Sequence, residues 1–250
     1  MTLFLHPGDD NRTPLVVKPE NNMISLRNVT KSYVQGRTVQ VTAVRGVDLD
    51  MRSGEFVVIT GRSGSGKTTL LNLAGGLTRP STGEVLIDGI NFWSLPDREQ
   101  SQLRHRKIGF VFQFPSLLPS LTVLENVALP SMFGAKAGQT EARDRAMQLL
   151  SELGVSEKQD AYPRQLSAGQ HKRVVIARSL VNRPELLLAD EPTSDLDERT
   201  EKEFMEVLSR IHGAGGVTVV LVTHNRDLIA YGTRALEMAD GQIRSEPRNQ

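Results

Sequence analysis

One nonapeptide, Gly61-Arg62-Ser63-Gly64-Ser65-Gly66-Lys67-Thr68-Thr69, restricts the possible folds of this 250-residue chain more than any other stretch. It fits the pattern G-x-x-x-x-G-K-[ST] and sits between an apolar run, Phe56–Thr60, and a segment with helical character through Leu70, Leu71 and Leu73. Strand, glycine-rich loop and helix in that order are what a phosphate cradle requires. Glycine reaches backbone conformations that other residues avoid, so successive N–H groups can turn inward onto anionic oxygens while the helix N-terminus adds its positive dipole end. Lys67 then offers a mobile charge to β and γ phosphates, and the Thr68 hydroxyl suits a bridging Mg²⁺.

A second run, Leu186–Ala189, ends in two carboxylates, Asp190 and Glu191. The apolar residues bury the strand and deliver Asp190 to its C-terminal edge, where open α/β sheets hold their ligands. Asp190 suits Mg²⁺ through a water, and Glu191 suits a general base that polarises an attacking water. Standing alone, the pair could equally cap a following helix. The phosphate loop tips the balance toward chemistry.

Strand-like runs are expected at Ile24–Tyr33, Val39–Val44, Val47–Met51, Glu84–Ile87, Ile108–Phe112 and Thr218–Thr223. Helical stretches are expected at Gln139–Leu153, Ala168–Val181 and Glu198–Ile211. Alternation of this kind implies an α/β fold with a mainly parallel sheet covered on both faces. Residues of about 114–165 carry helical pattern without a strong strand, so an α-helical subdomain inserted between core strands is expected there. Residues 1–22 are rich in Pro, Asn and Asp without periodicity and read as a flexible tail, leaving 23–250 as the folded domain.

Composition removes several alternatives. Thirty Lys and Arg against 29 Asp and Glu give no field that would draw the chain to nucleic acid or an anionic lipid surface. No Cys is present, which excludes disulfides, thiolate metal sites and a Cys nucleophile. Apolar runs such as Val219–Val222 fall far short of the roughly 20 residues a membrane helix needs. Met1–Leu5 offers no basic n-region of a signal peptide, so a cytoplasmic protein is expected.

Leu166-Ser167-Ala168-Gly169-Gln170, followed by Lys172, Arg173 and Arg178, resembles the Leu-Ser-Gly-Gly-Gln signature of the ABC ATPase family. Its chemistry is again anion binding, from a hydroxyl, a glycine N–H and a helix N-terminus. The resemblance implies that Ser167, Gly169 and Gln170 face the γ-phosphate of ATP held by a partner subunit, in a head-to-tail homodimer with two ATP at the interface. It covers about Met23 to Arg244. Tyr33 resembles the aromatic that stacks on adenine, although a Tyr ending a strand is also an ordinary packing residue. Gln113 resembles the glutamine that reaches Mg²⁺ and the attacking water. Asp195, within Ser194–Asp197, resembles the loop that crosses the dimer interface, and His224 resembles the histidine that contacts the γ-phosphate. Ala168 departs from the signature glycine and places a methyl group where backbone approaches phosphate; His171 and Lys172 stand where relatives often carry two glutamines.

Phrases such as Ile108–Gln113, Leu121–Val127 and Leu188–Thr193 resemble the macrolide-export, lipoprotein-release and FtsE-like branch. That implies a peripheral subunit on the inner face of the cell membrane, held by an FtsX/MacB-type permease on separate chains, with room for a periplasmic adaptor and no role for nucleic acid. Two other readings stay open: an FtsE-like ATPase that regulates extracytoplasmic enzymes without transport, and a soluble P-loop kinase or DNA-handling ATPase. Kinases lack a signature presented to a partner's nucleotide, and DNA-repair relatives carry long insertions absent here. Phe114, Leu117, Leu118 and Leu121, punctuated by Pro115 and Pro119, suggest either a groove for a permease helix or packing of the helical subdomain on the core.

Overall fold

The computed structural model describes residues 21–35, 39–114, 117–133 and 139–244. In chain order it opens with β1 (Asn22–Gln35), β2 (Val39–Arg52), β3 (Phe56–Thr60), α1 (Lys67–Ala74), β4 (Thr82–Ile87) and β5 (Ile90–Asn91). The expected tail lies outside the described residues apart from Asn21 and Asn22, and Asn22 already belongs to β1. Strands β2, β1, β4 and β5 form an antiparallel sheet in that order. The sequence suggested two strands, Val39–Val44 and Val47–Met51, but β2 runs straight through. Gly46 has φ 56° and donates its N–H to Thr30 Oγ1 at 3.0 Å, so one left-handed residue absorbs the irregularity without ending the strand.

Next come α2 (Asp97–Lys107), β6 (Ile108–Val111), α3 (Val123–Ala128), α4 (Gln139–Glu152), α5 (Ala168–Leu180), β7 (Leu186–Asp190), α6 (Glu198–Gly215), β8 (Thr218–Thr223), β9 (Arg234–Ala239) and β10 (Gln242–Arg244). The core sheet has the order β10-β9-β3-β8-β7-β6, parallel except for the β10 edge. Every residue of β3, β7 and β8 is buried. Successive side chains of a strand point to opposite faces, and the two cores divide on that rule. Phe56, Val58, Leu187, Val219 and Leu221 join the cluster with α3 to α6, whereas Val57, Ile59, Leu186, Val220 and Val222 join the one with α1 and the antiparallel sheet.

Between β6 and β7 the described residues form helices and turns and no strand. Helix α6 continues four residues beyond the expected Ile211 and stops at Gly216, whose φ of 64° provides a left-handed cap. The sequence reading passed over α2, β9 and β10. Helix α2 has Leu103 as its one large apolar residue, so no periodicity announces it. Asp97 and Glu99 in its first turn and Arg104 to Lys107 in its last instead complement the helix dipole. No helix among the described residues is long and apolar enough to cross a membrane.

Candidate active site

The parallel strands β3, β8 and β7 are neighbours, so their C-terminal ends bring three loops to one edge of the sheet. From β3 comes the glycine-rich loop. A Cβ on Gly61 would collide with the carbonyl of Met238, and one on Gly66 with the carbonyl of Ala43, so the backbones of β9 and β2 wall the loop in. Gly66, with φ 104°, leads into α1, and no side chain caps that helix. Its first N–H groups are therefore left for an anion. Lys67 is buried and folds back over the loop, donating to the carbonyls of Gly61 at 2.9 Å and Arg62 at 3.2 Å. Arg62 is exposed, while the buried Ser65 hydroxyl has no hydrogen-bond partner among the described residues.

Strand β7 supplies the carboxylates. Thr68 Oγ1 donates to Asp190 Oδ1 at 3.0 Å. Burial pushes the Asp190 carboxyl above its ordinary range, the Thr68 hydrogen bond and the Lys67 charge acting against that rise and the neighbouring Glu191 with it. This pair gives two hard oxygen donors, and no cluster of three His, Cys, Asp or Glu forms among the described residues. The set fits Mg²⁺, which takes one or two protein oxygens and completes its shell with phosphate and water.

Glu191 follows at φ 44°, a left-handed conformation that costs a non-glycine residue about 1 kcal/mol or more and persists where the surroundings enforce it. Here its N–H donates to the Val222 carbonyl at 2.9 Å. Its Oε1 lies 3.5 Å from Lys67 Nζ, and its Oε2 meets both the backbone N–H and Nδ1 of His224, at 3.2 and 2.8 Å. The Glu191 side chain is 12% exposed and the His224 side chain 61%, so the carboxylate is sheltered and the ring reaches outward.

These groups border a cavity of about 640 Å³, within the usual size of ligand sites. Lys67, Thr68, Thr69, Glu191 and His224 line it, with Ser63, Gly64 and Gly66 of the loop. Gln113 enters from the end of β6 and Tyr33 from β1, its ring 42% exposed. Two contributors escaped the sequence reading. Ala43 lines the cavity from β2, and nothing in an alanine within a strand run could have marked it. Glu201, in the first turn of α6, accepts from Thr193 Oγ1 at 2.6 Å and Asn225 Nδ2 at 2.9 Å, tying the loop after Glu191 to the one after His224.

The signature residues lie elsewhere. Ser167 caps α5, its hydroxyl accepting the Gln170 N–H at 3.3 Å while Gln170 Oε1 accepts the Ser167 N–H at 3.0 Å. Ser167, Gly169 and Gln170 line a different cavity, of about 490 Å³, together with Asp197 and Thr200. Asp195 borders neither cavity and pairs with the buried Lys172 at 2.8 Å. Within one chain the signature and the phosphate loop do not meet.

Residues 44–194 match the ABC transporter family. The chain belongs to that family. It is 45% identical to an uncharacterized ABC transporter ATP-binding protein of Methanocaldococcus jannaschii over 90% of this chain and 97% of that one. Similarity to the lipoprotein-releasing system ATP-binding protein LolD of Syntrophotalea carbinolica is 43% identity over 88% of this chain and 96% of the relative. The macrolide export ATP-binding/permease protein MacB of Syntrophobacter fumaroxidans is 42% identical over 90% of this ABC family chain, which spans 32% of that longer protein. Among solved structures, the dimeric M. jannaschii cassette superposes with a TM-score of 0.82 at 44% identity, covering 90% of this chain and 98% of that one. A dimeric post-hydrolysis state of the same cassette, bound to ADP and Pi, matches equally.

Proposed function

We propose that this ABC family member is the ATP-binding and ATP-hydrolysing subunit of a transporter, closing two ATP molecules between two copies of itself. The observation that carries the reading is the separation of the phosphate-loop cavity from the signature cavity within one chain. Each copy presents one half of a site, and a head-to-tail pair completes two. In each half-site Tyr33 stacks on adenine, the loop amides and Lys67 hold the β and γ phosphates, and Thr68 and Asp190 hold Mg²⁺, which when bound neutralises charge on those phosphates. Ser167, Gly169 and Gln170 of the other copy close over the γ-phosphate, with Asp195 crossing the interface.

Glu191 accepts a proton from water as that water attacks the γ-phosphorus, and the bond to ADP breaks. Lys67 Nζ stands 3.5 Å from the Glu191 carboxylate. The doubled bond to His224 holds the carboxylate in place, and the exposed edge of the ring is free to meet the γ-phosphate. Gln113 orients water and reports the γ-phosphate to helices α3 and α4, which follow it in the chain.

The names of the relatives, an ATP-binding/permease protein for MacB and the ATP-binding protein of a lipoprotein-releasing system for LolD, support a membrane permease as the driven partner; we take it to be of FtsX/MacB type and, as with LolD, on separate chains, with this subunit on the cytoplasmic side. ATPase assays over a range of protein concentration test the central claim. Activity per subunit is expected to rise through the dimerisation range and again on adding the permease. Specific activity that stays constant through both would reject the shared site.

A further inference from the structure

The opposite end of the same sheet holds a second large cavity, of about 590 Å³. Ser53, Glu185 and Val217 border it and precede β3, β7 and β8, so it lies at the strands' N-terminal ends. Five residues of strand, roughly 15–20 Å, separate it from the phosphate-loop edge. Its walls are apolar: Leu149 from α4 and Leu153 in the turn after it, Val207 and Ile211 from α6, with Leu180 at the end of α5.

Three arginines, Arg145, Arg183 and Arg210, ring that apolar floor. Of the two lining acids, Glu185 is bound by Lys107 at 2.6 Å, and Glu152 accepts from Gln148 Nε2 at 2.7 Å while lying 3.9 Å from Arg145. Arg145 donates Nη1 to Gln148 Oε1 at 3.0 Å, and among the described residues its buried Nε has no hydrogen-bond partner. Among the described residues the guanidinium groups of Arg183 and Arg210 make no hydrogen bond or ion pair. Arg183 is moreover held at φ 53°, in a turn closed by its N–H on the Leu180 carbonyl at 2.9 Å. Arg183 and Arg210 are exposed at the rim of the hollow, where a guanidinium fork matches a planar carboxylate.

We propose that this cavity binds a small amphipathic anion: an aliphatic chain lying along α4 and α6, with one carboxylate head among Arg145, Arg183 and Arg210. The volume falls within the range of small-molecule sites, and apolar lining with a few convergent polar groups is their usual character. The site shares no lining residue with the nucleotide cavity.

Titration calorimetry of the full chain with decanoate, with and without ATP, tests it. Saturable binding of one decanoate per chain is expected, undiminished by ATP. Decanol, of equal length without the charge, is expected to bind about tenfold more weakly, as is decanoate to Arg210→Gln. Ala214→Trp, at an exposed position on the cavity wall, is expected to abolish binding by filling the space, and both variants to hydrolyse ATP at the parental rate. Absence of saturable heat from the full chain, equal affinity for decanol, unchanged affinity in both variants, or competition by ATP overturns the proposal.

Discussion

Glu191 and His224 are joined twice, the carboxylate Oε2 taking both the backbone N–H and the ring Nδ1 of the histidine. The bond to the backbone survives any change of the histidine ring. The position of Glu191 is thus fixed by two neighbouring strand ends, and its chemistry can be changed without moving it.

Glu191→Gln keeps an oxygen for the His224 N–H but removes the proton acceptor. Turnover is expected to fall by about 10²–10⁴-fold, the usual contribution of a positioned base, with ATP affinity nearly unchanged. An ATP-bound dimer is expected to accumulate on size exclusion. Turnover at the parental rate would remove Glu191 from the role proposed for it.

Glu201 bonds Thr193 and Asn225 without bordering the nucleotide cavity. Glu201→Ala is expected to lower kcat about tenfold while leaving KM for ATP close to parental, because it loosens the loops that carry Glu191 and His224 and not those that hold the nucleotide. Stability is expected to drop by about 2 kcal/mol, since two bonds to a charged group are lost. A raised KM with normal kcat would show that Glu201 acts on nucleotide binding instead.

Leu117 and Leu118 have opposite fates. The fully buried Asn126 takes the Leu118 N–H on its Oδ1 at 2.7 Å and donates Nδ2 to the carbonyls of Leu118, Leu121 and Thr122. This fixes the turn so that Leu117 is 7% exposed and packs in the core, while Leu118 is 44% and Phe114 78% exposed. Core burial therefore removes Leu117 from any groove, while Leu118 and Phe114 are exposed. Leu117→Ala is expected to cost about 3 kcal/mol in urea unfolding. Leu118→Asp is expected to leave melting and basal hydrolysis near parental while abolishing stimulation by the permease; a large drop in Tm would place Leu118 in the core as well.

His171 sets a pH dependence. Burial, aided by Lys172 and Arg178, holds its pKa below the ordinary 6.5, and its Nδ1 is buried without a partner. A folded pKa below the unfolded one means that the unfolded chain takes the proton first as pH falls. The stability from neutral His171 is thus complete above about pH 6.5 and is lost as pH drops toward the folded value. Melting from about pH 7.5 to about pH 5.5 is expected to fall less steeply in His171→Gln than in the parent. Equal slopes would mean that His171 does not govern this window.

Much of the site was legible because its residues sit at strand ends, and a buried strand announces itself by an apolar run with polar punctuation. Phe56–Thr60, Leu186–Ala189 and Thr218–Thr223 therefore delivered Lys67, Glu191 and His224 correctly to one edge. Helix α2 was not legible, since its face buries Gln100 and Leu103 and its charges fit the dipole and not a period. Strand β9 escaped because its pairing with β3 is a long-range contact that local pattern does not carry. Ala43 and Glu201 were invisible for the same reason: their importance lies in what they touch across the fold.

The distance between the two half-sites has a genetic reading. A chain broken at Lys67 still carries a sound signature, and a chain broken at Ser167 still carries a sound phosphate loop. Neither variant alone can build a working pair. Combined in one cell or one tube, they assemble mixed dimers in which one composite site has both parts intact and the other has neither. Two null alleles of this protein would then complement each other, partially and only when co-expressed, as alleles of an enzyme with its whole site in one chain never do.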